Sequence, residues 1–293
     1  MSFSSEVKEE LSKINNLVNK ELVQAELIGY LISNNTIVVK ENVKYATESE
    51  YNINRFSKLL NNMNILDYQI DMQGKNFVIT FNQNEITECV KKSDNKLYIE
   101  EIKKDEEYIK ALVRGIYLGS GSMNNPENKY HLEIALATKQ SALLILSILE
   151  EEADIKLKLL EFNNSNSLYI KDGEEISKFL AFVGANNSVL RFEEIRVTRY
   201  MNNKINRLVN CETANMNKTM NAAVEQIEAI QYLKEIKTYE KLEDSLKEIA
   251  EVRLEHPDCP LSELGKYLKQ PIGKSGVNYR LKKIIEIAKE LKE

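Results

Sequence analysis

Two stretches of the chain, 86 residues apart, share one pattern of small and large apolar positions. Ala25–Asn35 reads AELIGYLISNN and Ala111–Gly121 reads ALVRGIYLGSG. Each sets small residues four apart: Ala25, Gly29 and Ser33 in one, Ala111, Gly115 and Gly119 in the other. That spacing keeps all three on one side of a helix. Leu27, Tyr30 and Leu31, and Leu112, Ile116 and Leu118, fill most of the remaining positions. Glycine inside a helix costs about 1 kcal/mol against alanine, so a matched pair of such helices asks for a packing reason. The pattern predicts that the two small faces meet and let the backbones approach closely.

Around these helices the first 195 residues repeat one order of elements. Alternating apolar and polar positions predict strands over Thr36–Lys40 and Val43–Thr47 in the first half and Tyr130–Thr138 in the second. Amphipathic helices follow at Glu50–Met63 and Lys139–Glu152, the latter with Leu143, Leu144, Leu146, Ile148 and Leu149 as its apolar stripe. Further strands are expected near Tyr68–Met72 and Phe77–Phe81, then near Lys156–Glu161 and Ser167–Lys171. A short helix closes each unit, near Asn84–Val90 and Glu174–Phe182. The expected fold class is α+β: two α/β repeats, about 20–104 and 108–195, giving saddle-shaped sheets suited to a duplex.

After Arg196 strand patterning stops. A helix over Thr198–Val209 and a long one over Glu212–Ile236, with Met216, Met220, Ala223, Ile227, Ile230 and Leu233 near a helical period, predict a helical linker at 196–236. The remainder, 237–293, reads as three helices: Leu242–Glu255, Leu261–Leu268 and Lys274–Leu291. Proline after His256 ends the first, and Pro260 or Ser262 starts the second. A turn at Lys269–Gly273 precedes the third. A short helix, a Gly/Pro turn and a longer basic helix are the order of a helix-turn-helix, whose last helix enters the major groove with its N-terminal residues. Lys274, Ser275, Asn278 and Tyr279 are then placed to touch base edges or nearby phosphates, and Arg280, Lys282 and Lys283 to touch backbone phosphates. Val277, Leu281, Ile284, Ile285 and Ala288 would face the core. A protein-binding helical bundle is the alternative for this segment.

Composition narrows the chemistry. The chain of 293 residues is 43% apolar, enough for two domains with real cores. No run approaches the roughly 20 apolar residues of a membrane span, and MSFSSEVKEELSK lacks an apolar export region. Cys89, Cys211 and Cys259 are far apart and odd in number, so no disulfide framework is expected. His131 and His256 are the only histidines, which leaves no metal-ligand spacing and no cofactor. A cytoplasmic, nucleoid-associated monomer is the expectation. Net charge is −5, but the cations cluster. Arg196, Arg199, Lys204, Arg207 and Lys218 lie in a stretch with one acid, Glu212; six more, from Lys266 to Lys283, lie in a stretch with none. Acid excess sits elsewhere, as at Glu100–Glu107 and Glu150–Asp154. Two basic islands on an acidic chain point to a directed binding face for double-stranded DNA. Asn206, Arg207, Asn210, Asn215, Asn217 and Lys218 crowd together; they either hydrogen-bond phosphates or a facing domain, or cap a junction between two helices. Tyr200 is placed to stack on a base or to fill an interdomain contact. Gly273–Ser275 (GKS) ends like a phosphate loop, but position 268 is leucine where that motif needs glycine.

The glycine-bearing pair resembles the signature helices of LAGLIDADG homing endonucleases. The whole chain is similar to the WhiA family, through Ser2–Leu11 (SFSSEVKEEL), Asn206–Ile230 (NRLVNCETANMNKTMNAAVEQIEAI) and Leu261–Leu281 (LSELGKYLKQPIGKSGVNYRL). The first resemblance implies two helices packed at a pseudo-twofold axis, with an acid near the end of each holding the metal that cleaves DNA. With Gly29 and Gly115 on the signature glycine, those positions fall on Asn34 and Ser120. Neither supplies the hard anionic oxygen that Mg²⁺ wants, so catalytic residues and metal ligands are expected to be absent. Glu26, Glu127 and Glu133 lie near in sequence and are the acids that could substitute; the expectation is that they are solvated surface charges. The second resemblance implies a degenerate endonuclease domain joined to a helix-turn-helix, regulating transcription in sporulation, cell division or chromosome segregation without cutting DNA. RNA polymerase or another regulator is a candidate partner. The rivals are an active metal-dependent endonuclease and a cell-division protein-interaction module.

Overall fold

The computed structural model describes residues 2–86, 105–162 and 165–292, in two compact units, Met1–Tyr200 and Met201–Glu293. The first opens with helix α1 (Phe3–Ser12), capped by the Ser2 side chain and burying Phe3, Val7 and Leu11 at spacing four. Helix α2 (Lys20–Leu31) follows, capped by Asn19. Strands β1 (Thr36–Val39) and β2 (Asn42–Thr47), helix α3 (Glu50–Asn62) and strands β3 (Tyr68–Gln73) and β4 (Asn76–Asn82) complete the first repeat. The second runs through α4 (Glu106–Ser120), β5 (Gly121–Met123), β6 (Leu132–Leu136), α5 (Lys139–Ala153), β7 (Lys158–Phe162), β8 (Ser165–Ile170) and α6 (Gly173–Val183).

The strand orders are β1-β2-β4-β3 and β5-β6-β8-β7, antiparallel at every pairing, so the same sheet is built twice. Strand alternation sends Val43, Tyr45, Ile79 and Phe81 inward in one sheet and Leu132, Ile134, Leu168 and Ile170 inward in the other, into one shared core with the helices. In the registers Lys44 faces Thr80 and Asp71 faces Val78 in the first sheet, and Glu133 and Lys158 flank Tyr169 from opposite sides in the second. The predicted strand over Tyr130–Thr138 is shorter, because Tyr130 packs on Phe192 instead of extending the ladder. Of the helix expected at Asn84–Val90, a 3₁₀ turn at Gln83–Ile86 is present; its remainder, Cys89 and most of the acidic stretch Glu100–Glu107 lie outside the described residues.

Helix α7 (Asn186–Glu235) is one continuous helix of 50 residues. Two helices were expected over this range; no Gly or Pro interrupts it, so nothing breaks the backbone ladder. Its N-terminus is capped by Glu10 of α1, whose carboxylate accepts from the Asn187 N–H at 2.7 Å, the Ser188 N–H at 2.9 Å and the Ser188 hydroxyl at 2.6 Å. A negative charge there also meets the positive end of the helix dipole. Arg191 pairs with Glu6 one turn on. Every residue from 201 to 222 is exposed. Seven of these 22 are asparagines, each about 0.6 kcal/mol poorer than alanine in a helix, so the segment forgoes about 4 kcal/mol of intrinsic helix stability.

In the second unit the end of α7 (Ala229, Ile230, Leu233) packs with α8 (Asp244–Glu255), α9 (Leu261–Leu264) and α10 (Lys274–Glu290). Helix α9 is half the predicted length. At Gly265 a Cβ would lie 3.2 Å from the Ile272 carbonyl carbon and 3.1 Å from Val277 Cγ2. The chain must turn there to let the Ile272 N–H reach the Gly265 carbonyl at 3.2 Å.

Candidate nucleic-acid interface

The paired glycines bring α2 and α4 into backbone contact. A Cβ built on Gly29 would sit 2.7 Å from the Ile116 nitrogen, and one on Gly115 would sit 2.9 Å from the Glu26 carbonyl carbon. One on Gly119 would fall 2.5 Å from Ser33 Oγ. Buried Asn52 of α3 ties the repeats together. Its Nδ2 donates to Tyr45 at 2.6 Å and to the Leu118 carbonyl at 2.5 Å, while its Oδ1 accepts from Tyr30 at 2.5 Å. Asn35 Nδ2 donates to the Gly119 carbonyl at 2.8 Å.

Just past these helices, Asn34 and Ser120 converge on one acceptor. The Asn34 N–H lies 3.2 Å from the Ala135 carbonyl, and the Ser120 hydroxyl donates to the same oxygen. Ser33 and Leu136 form a bridge beside them. Polar groups at this end of the helix pair thus serve the backbone. Among the described residues no three His, Cys, Asp or Glu side chains stand together as a metal site would require.

Glu26 is not the surface charge expected of it. It is fully buried, and Arg55 holds it by two parallel bonds, Nε to Oε1 at 2.7 Å and Nη2 to Oε2 at 2.8 Å. Arg114 approaches Oε2 at 3.5 Å and donates its Nε to the Val183 carbonyl at 3.0 Å. Asn16 and the Ile14 carbonyl complete the cluster around Arg55. Burial alone would lower the Arg55 pKa, but the hydrogen bonds and charge of Glu26 outweigh it and raise it; at Arg114 burial prevails and lowers it. Both guanidinium groups stay charged, so one carboxylate stitches α3 of the first repeat to α4 of the second. The reason for the misreading is distance in sequence: the partners lie 29 and 88 residues away. Glu127 is exposed, as expected, and Glu133 is half-buried with His131 Nε2 at 3.3 Å.

In the second unit, α10 opens at Gly273, which offers no capping side chain. Val277, Leu281, Ile284 and Ala288 turn inward, which leaves Lys274, Ser275, Asn278, Tyr279 and Lys282 exposed. Ser275, Asn278, Tyr279 and Lys282 follow the three-and-four spacing of a single helix face. Arg280 leaves that face: it lies toward α8, with Nη1 3.4 Å from the Ser245 carbonyl. Lys283, on the flank, meets Glu243 at 3.2 Å. Buried Arg253 holds the preceding loop by donating to the Cys259, Pro257 and His256 carbonyls at 2.8, 3.2 and 3.4 Å. His256 stacks on Tyr267 with centroids 4.2 Å apart.

The upstream basic island divides. Arg196 pairs with Glu193 at 2.5 Å, and Arg199 donates to the Pro126 carbonyl at 2.5 Å and lies 4.4 Å over the Tyr130 ring. The first pair lies within α7, and Arg199 ties the helix to the loop before β6. Lys204, Arg207 and Lys218 stay exposed, with no ion-pair partner among the described residues. The asparagines around them cap nothing, because α7 has no terminus between 186 and 235. Sequence reading missed their common face; the spacing of Asn203, Asn206, Asn210, Asn217 and Asn221 carried that signal.

Fold and site define a class: a twice-built LAGLIDADG-like domain whose closing helix leads into a helix-turn-helix unit. Family models agree, with a WhiA LAGLIDADG-like domain over residues 109–202 and a WhiA C-terminal HTH domain over 205–288. The chain belongs to the WhiA family. It is 38% identical to the probable cell division protein WhiA of Clostridium tetani over 99% of this chain and 98% of that one. It is 36% identical to that of Clostridium acetobutylicum over 100% and 99%. The crystal structure of full-length WhiA from Thermotoga maritima matches it with a TM-score of 0.60 at 29% identity, over 99% of each chain.

Proposed function

We propose that this protein is a non-catalytic DNA-binding regulator of bacterial cell division, acting on transcription in division and sporulation as a monomer on the nucleoid. The observation that carries this reading is the exposed, acid-free start of α10, where Lys274, Ser275, Asn278, Tyr279 and Lys282 face solvent on a helix held rigidly by its own core. Asn reads adenine and Lys reads guanine from that position, and Lys282 suits a flanking phosphate. Arg280, turned toward the Ser245 carbonyl, and Lys283, paired with Glu243, lie off this face. The relatives' description as probable cell division proteins supports the setting. RNA polymerase or a second regulator is the candidate partner through which bound protein would act.

The non-catalytic half of the proposal rests on the helix pair. Asn34 and Ser120 bring no charge, and Glu26 of α2 is locked to Arg55. A test is DNA affinity of the full chain at matched salt, with Lys274→Gln and Lys282→Gln. Each should weaken binding and flatten the salt dependence by about one unit of slope. Parental affinity and slope in both variants would refute the assignment.

A further inference from the structure

We propose that the exposed middle of α7 is a second duplex-binding surface, in which Lys204, Arg207 and Lys218 and the row Asn203, Asn206, Asn210, Asn217 and Asn221 contact the phosphate backbone. This rests on the reading of the protein as a DNA binder and extends it to a surface outside α10. Three observations carry it. First, every residue of 201–222 is exposed, yet the stretch is rich in residues that weaken a helix. A segment of this kind holds a place for a partner.

Second, the helical period sorts its side chains. Met201, Ile205, Leu208, Met216 and Met220 fall on one side, and the only acid, Glu212, falls among them. Lys204, Arg207 and Lys218 line the other side, separated by three and eleven residues, and the five asparagines lie beside them. That side carries three cations, five amides and no acid. Amide and ammonium donors without competing carboxylates complement phosphate oxygens.

Third, the dimensions fit. Lys204 to Lys218 spans about 21 Å along the axis at 1.5 Å per residue, close to the rise of six base pairs. Arg196 and Arg199 do not extend the surface, because Glu193 and the Pro126 carbonyl hold them.

The test uses the full chain and a labelled duplex of about 40 base pairs of arbitrary sequence, titrated across roughly 0.05–0.3 M salt. In K204Q/R207Q/K218Q the slope of log affinity against log salt should shrink by about 2–3 units. In N206A/N210A/N217A affinity should fall at matched salt although alanine strengthens the helix, which circular dichroism reads separately. A merely structural role predicts the opposite sign in the dichroism. Parental slope and affinity in both variants, with binding weakened by Lys274→Gln, would overturn this inference and leave the helix-turn-helix reading intact; a face reserved for another protein gives that result. A parent chain that binds no duplex would overturn both.

Discussion

Replacing Gly115 by alanine sets two known effects against each other, and their signs differ. In an isolated helix the change stabilises by about 1 kcal/mol. Here the new Cβ would stand 2.9 Å from the Glu26 carbonyl carbon and nearer still to its oxygen. Carbon atoms rest at about 3.5–4.0 Å, so α2 and α4 must part by roughly 0.6 Å or more. Overpacking of this kind costs about 1–3 kcal/mol. Two hydrogen bonds across the same contact, from Asn52 to the Leu118 carbonyl and from Asn35 to the Gly119 carbonyl, lengthen with it, at about 1 kcal/mol each. The net expectation is a loss of about 2–4 kcal/mol. For a unit near 200 residues that is roughly 4–16 °C in Tm. Thermal unfolding followed by circular dichroism and calorimetry measures it. A Tm that rises by a few degrees would show the propensity gain acting alone, and the close approach of the two helices would be refuted.

Three further outcomes follow from the same geometry. Glu26→Gln should destabilise the first unit by about 3–5 kcal/mol, since it leaves two buried guanidinium groups without their counter-charge, whereas Glu127→Gln should leave the urea midpoint unchanged. Glu10→Ala should cost about 1–2 kcal/mol by uncapping α7, read as a lower denaturation midpoint of the full chain. Burial lowers the Lys8 pKa from 10.5 to about 8. The folded state therefore sheds that proton before the unfolded chain does. Stability from this group rises as pH passes from about 8 to 10.5 and is least below that window; Lys8→Gln should flatten that rise in urea titrations at several pH values.

The helix pair was legible because its signal is local. Small residues at spacing four are uncommon in a helix unless a neighbour demands them, and Gly29 and Gly115 have such a neighbour in each other. The inward-facing strand positions were legible for the same reason, through alternation. Glu26 was not, because its meaning lies in Arg55 and Arg114, which no local pattern connects to it. The length of α7 was readable in principle from the absence of Gly and Pro over 186–235. Weak helix formers suggested a junction instead, and intrinsic propensity is a poorer guide than the absence of a breaker. The three residues of β5 gave no periodicity to read. On α10 the periodicity separates the core side from the exposed side, but the turn of Arg280 toward the Ser245 carbonyl depends on where α8 packs.

The most direct test of a frame that grips DNA without cutting it is one gel. Supercoiled plasmid is incubated with the full chain and Mg²⁺ or Mn²⁺, then divided between a native lane and a lane treated to remove protein. The account predicts retarded plasmid in the first and intact supercoils in the second. Specific nicks in the second lane that disappear on substitution at Asn34, Ser120 or a carboxylate beside them would contradict it.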